Sequence, residues 1–270
     1  MRPEPHFFYK SWEYSKGWEY YLERWFSLVP DSAVAIGERS SSYMFGEEIT
    51  AGLIRHYLPS AKLVFILRNP IERTWANYRY TVLQGLENLG FMEALLRESE
   101  RVKTANGVWT EIQPHNYTGR GFYARQLRAF LRFFPENQLH VIKSEELSKS
   151  TDIVLKSLTS FLGLSDSGWS YERPVDFTSM NVIDPERQVE LRGHFMERFD
   201  GVIEAVRLRQ DLATLALSRD DEVKLRQLDA NLCTDKFEMP AEARNYLSRI
   251  FEADLGMLKE LVSFDFSDWN

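Results

Sequence analysis

At roughly 150 residues per domain, 270 residues make one large domain or two small ones, and 44% hydrophobic against 27% charged residues is the balance of a globular protein. A net charge of −7, from 33 Lys and Arg against 40 Asp and Glu, argues against general nucleic-acid binding, which needs a basic footprint. One cysteine, Cys233, excludes an internal disulfide and a Cys-based metal cluster, and no apolar run approaches the roughly 20 residues of a membrane span.

The chain opens on Met1-Arg2-Pro3-Glu4 with no visible secretory leader, which together with the single cysteine points to a reducing, cytoplasmic setting. Aromatic residues crowd the first thirty positions, and Tyr14, Trp18, Tyr21, Trp25 and Phe26 repeat at helical spacing before Pro30. Ala33–Gly37 reads as a short buried strand. A helix over 47–58 ends before Pro59. Lys62–Leu67 is a continuous apolar run, as in a parallel strand covered on both faces. Asn69 suits an N-cap and Pro70 the first helical position, so a helix is expected from there to about Leu86. Tyr123, Leu127, Phe130, Leu131 and Phe134 predict an amphipathic helix stopped by Pro135. Leu139–Ile142 is a third strand, and 150–162 a helix closed by Gly163. Beyond Pro185 the pattern is helical over Val189–Arg209, from Asp220 to about Asn231, and over Ala241–Leu261. Strands alternating with helices predict an α/β fold with a parallel sheet. One domain is expected, with an α/β core over 1–182 and a mostly helical part over 183–270.

The strand–turn–helix at 62–80 is the best local candidate for a binding site. A helix N-terminus offers unpaired N–H groups and partial positive charge, and Arg68 adds a guanidinium, which together suit a phosphate. The alternative is that Arg68 pairs with Glu72 or a nearby loop. Trp18 and Trp25 suit a core as readily as a sugar platform. His56, His115, His140 and His194 show no metal-ligand spacing.

The segment Leu67-Arg68-Asn69-Pro70-Ile71-Glu72-Arg73-Thr74-Trp75-Ala76-Asn77-Tyr78 resembles the 3′-phosphate-binding segment of sulfotransferases, which take a sulfuryl group from 3′-phosphoadenosine 5′-phosphosulfate (PAPS). Similar segments follow the family's order. Glu4-Pro5-His6-Phe7-Phe8 resembles "KEPHFF", and Gly37-Glu38-Arg39-Ser40-Ser41-Ser42-Tyr43 resembles "GEKTPSY". Gly121–Leu127, Phe134-Pro135, Leu139–Leu147, Phe161–Leu164 and Asp265–Trp269 resemble later segments. The closest branch is that of the heparan sulfate and nodulation-type carbohydrate sulfotransferases.

The resemblance implies a P-loop-like parallel sheet flanked by helices, PAPS as co-substrate, no metal, and a carbohydrate or small-molecule acceptor. It implies Glu4 as the base, with His6 on the same face of an extended segment, and Arg39 as the cation near the reacting sulfonate. Arg68, Ala76, Tyr123 and Lys236 are the implied nucleotide-binding positions, although Tyr123 also suits a helix core. Three departures stand out. Pro3 replaces the family's lysine, Ala76 its phosphate-binding serine, and only Lys236 is basic where a glycine-rich basic loop belongs. The family's Lys-Gly-Thr-Thr-like loop lies upstream of "KEPHFF", where this chain starts, so a first βα unit is expected to be absent. Ser40-Ser41-Ser42 offers hydroxyls but lacks glycines for close backbone approach, so those donors have no substitute. Weak PAPS binding, near-background transfer and self-association over an exposed sheet edge are then expected. The net charge favours a neutral acceptor. The rival readings are a sulfotransferase-like binding or scaffold domain, or an N-terminally incomplete chain.

Overall fold

A computed structural model describes residues 4–165, 180–195 and 218–269. In chain order its helices and strands are α1 (Ser11–Tyr14), α2 (Trp18–Phe26), α3 (Glu47–Tyr57), β1 (Leu63–Leu67), α4 (Pro70–Leu83), α5 (Phe91–Thr104), α6 (Trp109–Ile112) and α7 (Tyr123–Leu131). Then come β2 (Leu139–Lys143), α8 (Ser144–Lys149), α9 (Thr151–Leu162), β3 (Asn181–Val182), α10 (Pro185–His194), α11 (Arg219–Ala230), β4 (Leu232–Cys233) and α12 (Ala241–Leu258). They fall into two compact units. One comprises Met1–Pro70, Gly119–Arg173 and Arg249–Asn270, the other Ile71–Thr118 and Pro174–Ser248.

The first unit is α/β. β1 and β2 pair in parallel, from Leu63 opposite Leu139 to Leu67 opposite Lys143. Phe65 and Leu67 are buried, and Phe65 meets Phe130 of α7 edge-on at 5.1 Å. Their β1 neighbours Val64 and Ile66 are exposed. The aromatic-rich N-terminus forms the rest of this core. Phe7 stacks on Tyr21 at 4.5 Å, and Trp18 stacks on Tyr57 of α3 at 4.7 Å. Asp254 of α12 closes the start of α7, accepting from the N–H groups of Ala124 and Arg125 at 3.0 and 3.2 Å. Gly121 admits the Phe251 ring, which a Cβ there would meet at 2.7 Å, and lies against Pro70. Lys143, 3% exposed at the end of β2, donates to the Asp265 carbonyl at 2.5 Å and to the Asp268 carboxylate.

The second unit holds the continuation of α4, with α5, α6, α10, α11, the antiparallel pair β3–β4, and the start of α12. Trp75 and Tyr78 of α4 pack with Phe91 of α5, both rings at 4.8 Å from it. Glu87 is the polar keystone between α4 and α5. Its fully buried carboxylate accepts from Arg101 at 2.5 Å, the Tyr117 hydroxyl at 2.6 Å and the N–H groups of Asn88 and Leu89 at 3.0 Å each.

The helices expected over 47–58, from Pro70, from Tyr123, over 150–162, from Asp220 and from Ala241 are present, with ends moved by a few residues. Gly163 closes α9 at φ +77°, a conformation glycine reaches without a Cβ penalty. The helix over Val189–Arg209 is seen to His194 within α10, and 196–209 lie outside the described residues, as does Pro3. Ala33–Gly37 is a correction. The segment has no strand pairing, and Val34 and Ile36 are 89% and 61% exposed. A strand exists only through a ladder partner and a covering layer, and none of the described residues supplies a ladder to this run.

Candidate active site

The loop at 4–10 is held by its aromatic residues. Phe7 and Phe8 are each 2% exposed, so the backbone on either side has little freedom. His6 adopts φ +51°, a left-handed conformation that histidine visits more readily than most residues. It starts a turn in which the N–H groups of Tyr9 and Lys10 donate to its carbonyl at 3.0 and 2.9 Å. The segment is therefore bent, not extended. Glu4 and His6 still meet, with His6 Nε2 3.2 Å from Glu4 Oε2.

The 38–43 segment clamps this loop. Ser41 donates to Glu4 Oε2 through both its N–H and its hydroxyl, each at 2.7 Å. Arg39 reaches Glu4 Oε1 at 3.2 Å. Ser40 Oγ accepts from the His6 N–H at 2.9 Å and donates to Glu38 at 3.0 Å, and Tyr21 donates to the same carboxylate at 3.3 Å. Ser42 Oγ receives Arg120 at 3.4 Å, and that guanidinium lies 4.4 Å from the Phe45 ring centroid. The three serine hydroxyls are thus engaged within the protein and do not form a phosphate cradle.

The electrostatics follow from these contacts. Burial pushes the Glu4 carboxyl up, but the Ser41 hydrogen bonds and the charges of His6 and Arg39 outweigh it and hold Glu4 below its ordinary value. Burial, then the nearby Lys10, pulls His6 down to about 4, with Glu4 opposing. His6 is therefore neutral at pH 7. Its Nδ1 is buried without a hydrogen-bond partner among the described residues, which fits a bare lone pair there and the proton on Nε2, facing Glu4. Burial raises Glu38 despite its hydrogen bonds from Tyr43, Ser40 and Tyr21.

Glu4 and His6 border a groove of about 270 Å³. Its walls are the rings of Trp12, Tyr20 and Trp25, interleaved with Lys10, Lys16 and Arg24. Each cation lies near one ring, Lys10 at 5.3 Å from Trp12, Lys16 at 5.2 Å from Tyr20 and Arg24 at 5.6 Å from Trp25. Trp18 and Trp25 both pack, partly buried, against the core, and Trp25 also lines the groove. The sequence reading missed Trp12, Tyr20, Ser41 and the groove cations. The signal for Ser41 was its departure from the proline of "GEKTPSY".

The structure brings Glu4, His6 and Arg39 together. Arg68, in the same unit, is exposed and makes no hydrogen bond or ion pair with the described residues. Glu72 instead pairs with Arg244 at 2.7 Å. At the start of α4 the Asn69 N–H donates to Glu145 Oε1 at 3.2 Å, so one amide of that turn already has an anionic partner. Tyr123 is 5% exposed within the first unit's core, a packing position. Ala76 is half-buried on α4 in the second unit, and Lys236 is exposed in the loop between β4 and α12. Among the described residues no group of three or more His, Cys, Asp or Glu could hold a metal ion, and no helix is long and apolar enough to cross a membrane.

Comparison with known proteins gives this geometry a context. Human bifunctional heparan sulfate N-deacetylase/N-sulfotransferase 2 is 26% identical over 164 residues, 58% of this chain and 18% of the relative. Human heparan sulfate glucosamine 3-O-sulfotransferase 3B1 is 29% identical over 164 residues, 60% of this chain and 38% of the relative. The chain thus aligns with well under half the length of these relatives. A crystal structure of a sulfotransferase from Alicyclobacillus acidocaldarius matches 99% of this chain and 86% of its own, with a TM-score of 0.65 at 22% identity, a likeness of fold. The family model described as a sulfotransferase domain matches residues 2–192, most of the sequence, and the chain belongs to that family.

Proposed function

We propose that this protein moves a sulfuryl group from PAPS to a hydroxyl or amine of a carbohydrate or small-molecule acceptor. The observation that carries the reading is the Glu4 carboxylate, fixed by Ser41 and His6 at the border of a groove walled by aromatic rings. Rings of this kind pack against the apolar face of a sugar. Lys10, Lys16 and Arg24 share the groove with the carboxylates of Glu4 and Glu13, and Lys16 is already paired with Glu13 at 2.8 Å, so the lining is of mixed charge.

The reaction is an in-line displacement. Glu4 takes the acceptor's proton as the acceptor–sulfur bond forms and the bond from sulfur to the phosphate oxygen breaks. Arg39 stabilises charge on the sulfonate and the departing phosphate; an arginine remains charged throughout and donates no proton to the leaving group. Arg68, exposed beside the N-terminus of α4, suits the nucleotide's phosphate. Ala76 offers no hydroxyl where the family has a serine, so this anchor is weaker on that side. Self-association over an exposed sheet edge remains part of this reading, supported by the two-stranded β1–β2 ladder of the described residues, and sedimentation velocity tests it.

The experiment is transfer of radiolabelled sulfate from PAPS to a panel of neutral and carboxylated sugars. Glu4→Gln keeps the size of the side chain and removes its basicity. Turnover should fall roughly a hundredfold with donor binding little changed. Equal turnover in parent and variant refutes the role of Glu4. Nucleotide binding without transfer to any sugar favours the binding-domain reading.

A further inference from the structure

We propose that Ser41 is a positioning residue that makes Glu4 a one-sided base, fixing Oε2 and leaving Oε1 to meet the acceptor's proton. The proposal rests on the reading of Glu4 given above. Ser41 donates twice to one oxygen, through its N–H and its hydroxyl, each at 2.7 Å. His6 Nε2 approaches the same oxygen at 3.2 Å. A carboxylate oxygen has two lone pairs, so Oε2 is saturated. Oε1 contacts Arg39 at 3.2 Å, and that side chain is 69% exposed. An exposed ion pair of this kind is weakly held and opens readily. The two oxygens of one carboxylate are therefore chemically distinct, and the less engaged one is the proton acceptor.

The backbone explains why position 41 can do this. The Tyr43 N–H donates to the Ser40 carbonyl at 3.3 Å, closing a turn with Ser41 in its second position. Proline is favoured there, and proline is what the "GEKTPSY" pattern carries. A proline would keep the turn but has neither an N–H nor a hydroxyl. Serine keeps the turn and adds both donors to Glu4. The charged or titratable groups facing Glu4 are His6, Arg39 and Glu38, and a Ser41 substitution leaves all three in place.

The test is a carboxyl-carbon NMR titration of the full chain, with the Glu4 resonance assigned by its loss in Glu4→Gln. Ser41→Ala should move the Glu4 midpoint upward, Ser41→Pro should move it further, and Ser41→Thr should restore the parent value. In the transfer assay Ser41→Ala should lower kcat roughly tenfold with the KM for donor unchanged. Thermal melts confirm that each variant is folded, and Ser41→Ala carries the test if the proline variant is not. An unchanged Glu4 midpoint in folded Ser41→Ala and Ser41→Pro overturns the proposal, whether or not the chain transfers sulfate. Midpoints that move as expected while Glu4→Gln keeps normal turnover overturn the base reading and leave the clamp standing.

Discussion

Mild acid should destabilise this protein through His6, in a window above the one in which Glu4 titrates. The imidazole has an ordinary value of 6.5 and is held down to about 4 by burial and by Lys10. Because the folded-state value is depressed, the unfolded chain takes up the proton first as pH falls. The stabilisation from neutral His6 is complete above 6.5 and is lost between 6.5 and about 4. Each pH unit inside that window removes about 1.36 kcal/mol. Going from pH 7 to pH 5 crosses one and a half units of it, about 2 kcal/mol, while remaining above the ordinary carboxylate value of 4.5 that applies to Glu4. Urea unfolding of the parent and of His6→Gln at both pH values isolates the effect. Glutamine retains an N–H donor for Glu4 and does not titrate. His115 and His140, which burial also lowers, are common to both proteins and cancel in the difference. The parent should lose about 2 kcal/mol more than the variant between pH 7 and pH 5. Equal losses would mean that His6 is charged in the folded protein and that its Nδ1 is not the bare lone pair inferred here.

Two other perturbations probe separate regions. Glu87→Ala strands the Arg101 guanidinium and the Tyr117 hydroxyl, and should cost about 3–5 kcal/mol in denaturant unfolding; a loss below about 1 kcal/mol would show that this carboxylate is not a keystone. Arg68→Ala should weaken binding of adenosine 3′,5′-bisphosphate roughly ten- to a hundredfold by calorimetry, and Ala76→Ser should tighten it slightly; an unchanged affinity in Arg68→Ala removes the nucleotide anchor.

What could be read from the sequence follows the reach of each interaction. Lys62–Leu67 and Leu139–Ile142 find each other as ladder partners and become strands, but β1 is covered on one face only: Phe65 and Leu67 are buried while Val64 and Ile66 are exposed, against the two-sided burial that its continuous run predicts. Ala33–Gly37 has the same local composition, but its environment is different, and composition cannot report a missing ladder. α5 carried a legible signal that was overlooked, since Phe91, Ala94, Leu95 and Glu98 are buried at helical spacing with a carboxylate interrupting the stripe. Glu4, His6 and Arg39 were nominated together by resemblance, and they meet in space. They do so through a left-handed turn at His6 that alternation along a strand did not anticipate. Ser41 acts on Glu4 across 37 positions, a contact that no local pattern encodes. Trp18 and Trp25 share one helical spacing and both pack against the core, yet only Trp25 also lines the groove, a difference that spacing does not report.

The buried Lys143 has a consequence for how the chain folds during synthesis. β2 places an ammonium in the core, and the oxygens that offset its desolvation come from Asp265 and Asp268, more than a hundred residues downstream. While the ribosome has yet to release that stretch, closing β1 on β2 leaves a charge in apolar surroundings without a partner, which opposes the closure. The nascent chain can build α3 and α7 as local helices, but the sheet they cover gains its last stabilising contacts only when residues 265–268 emerge. The parallel pair therefore gains the partners of its buried cation late in chain order, and the apolar residues of β1 wait for them meanwhile.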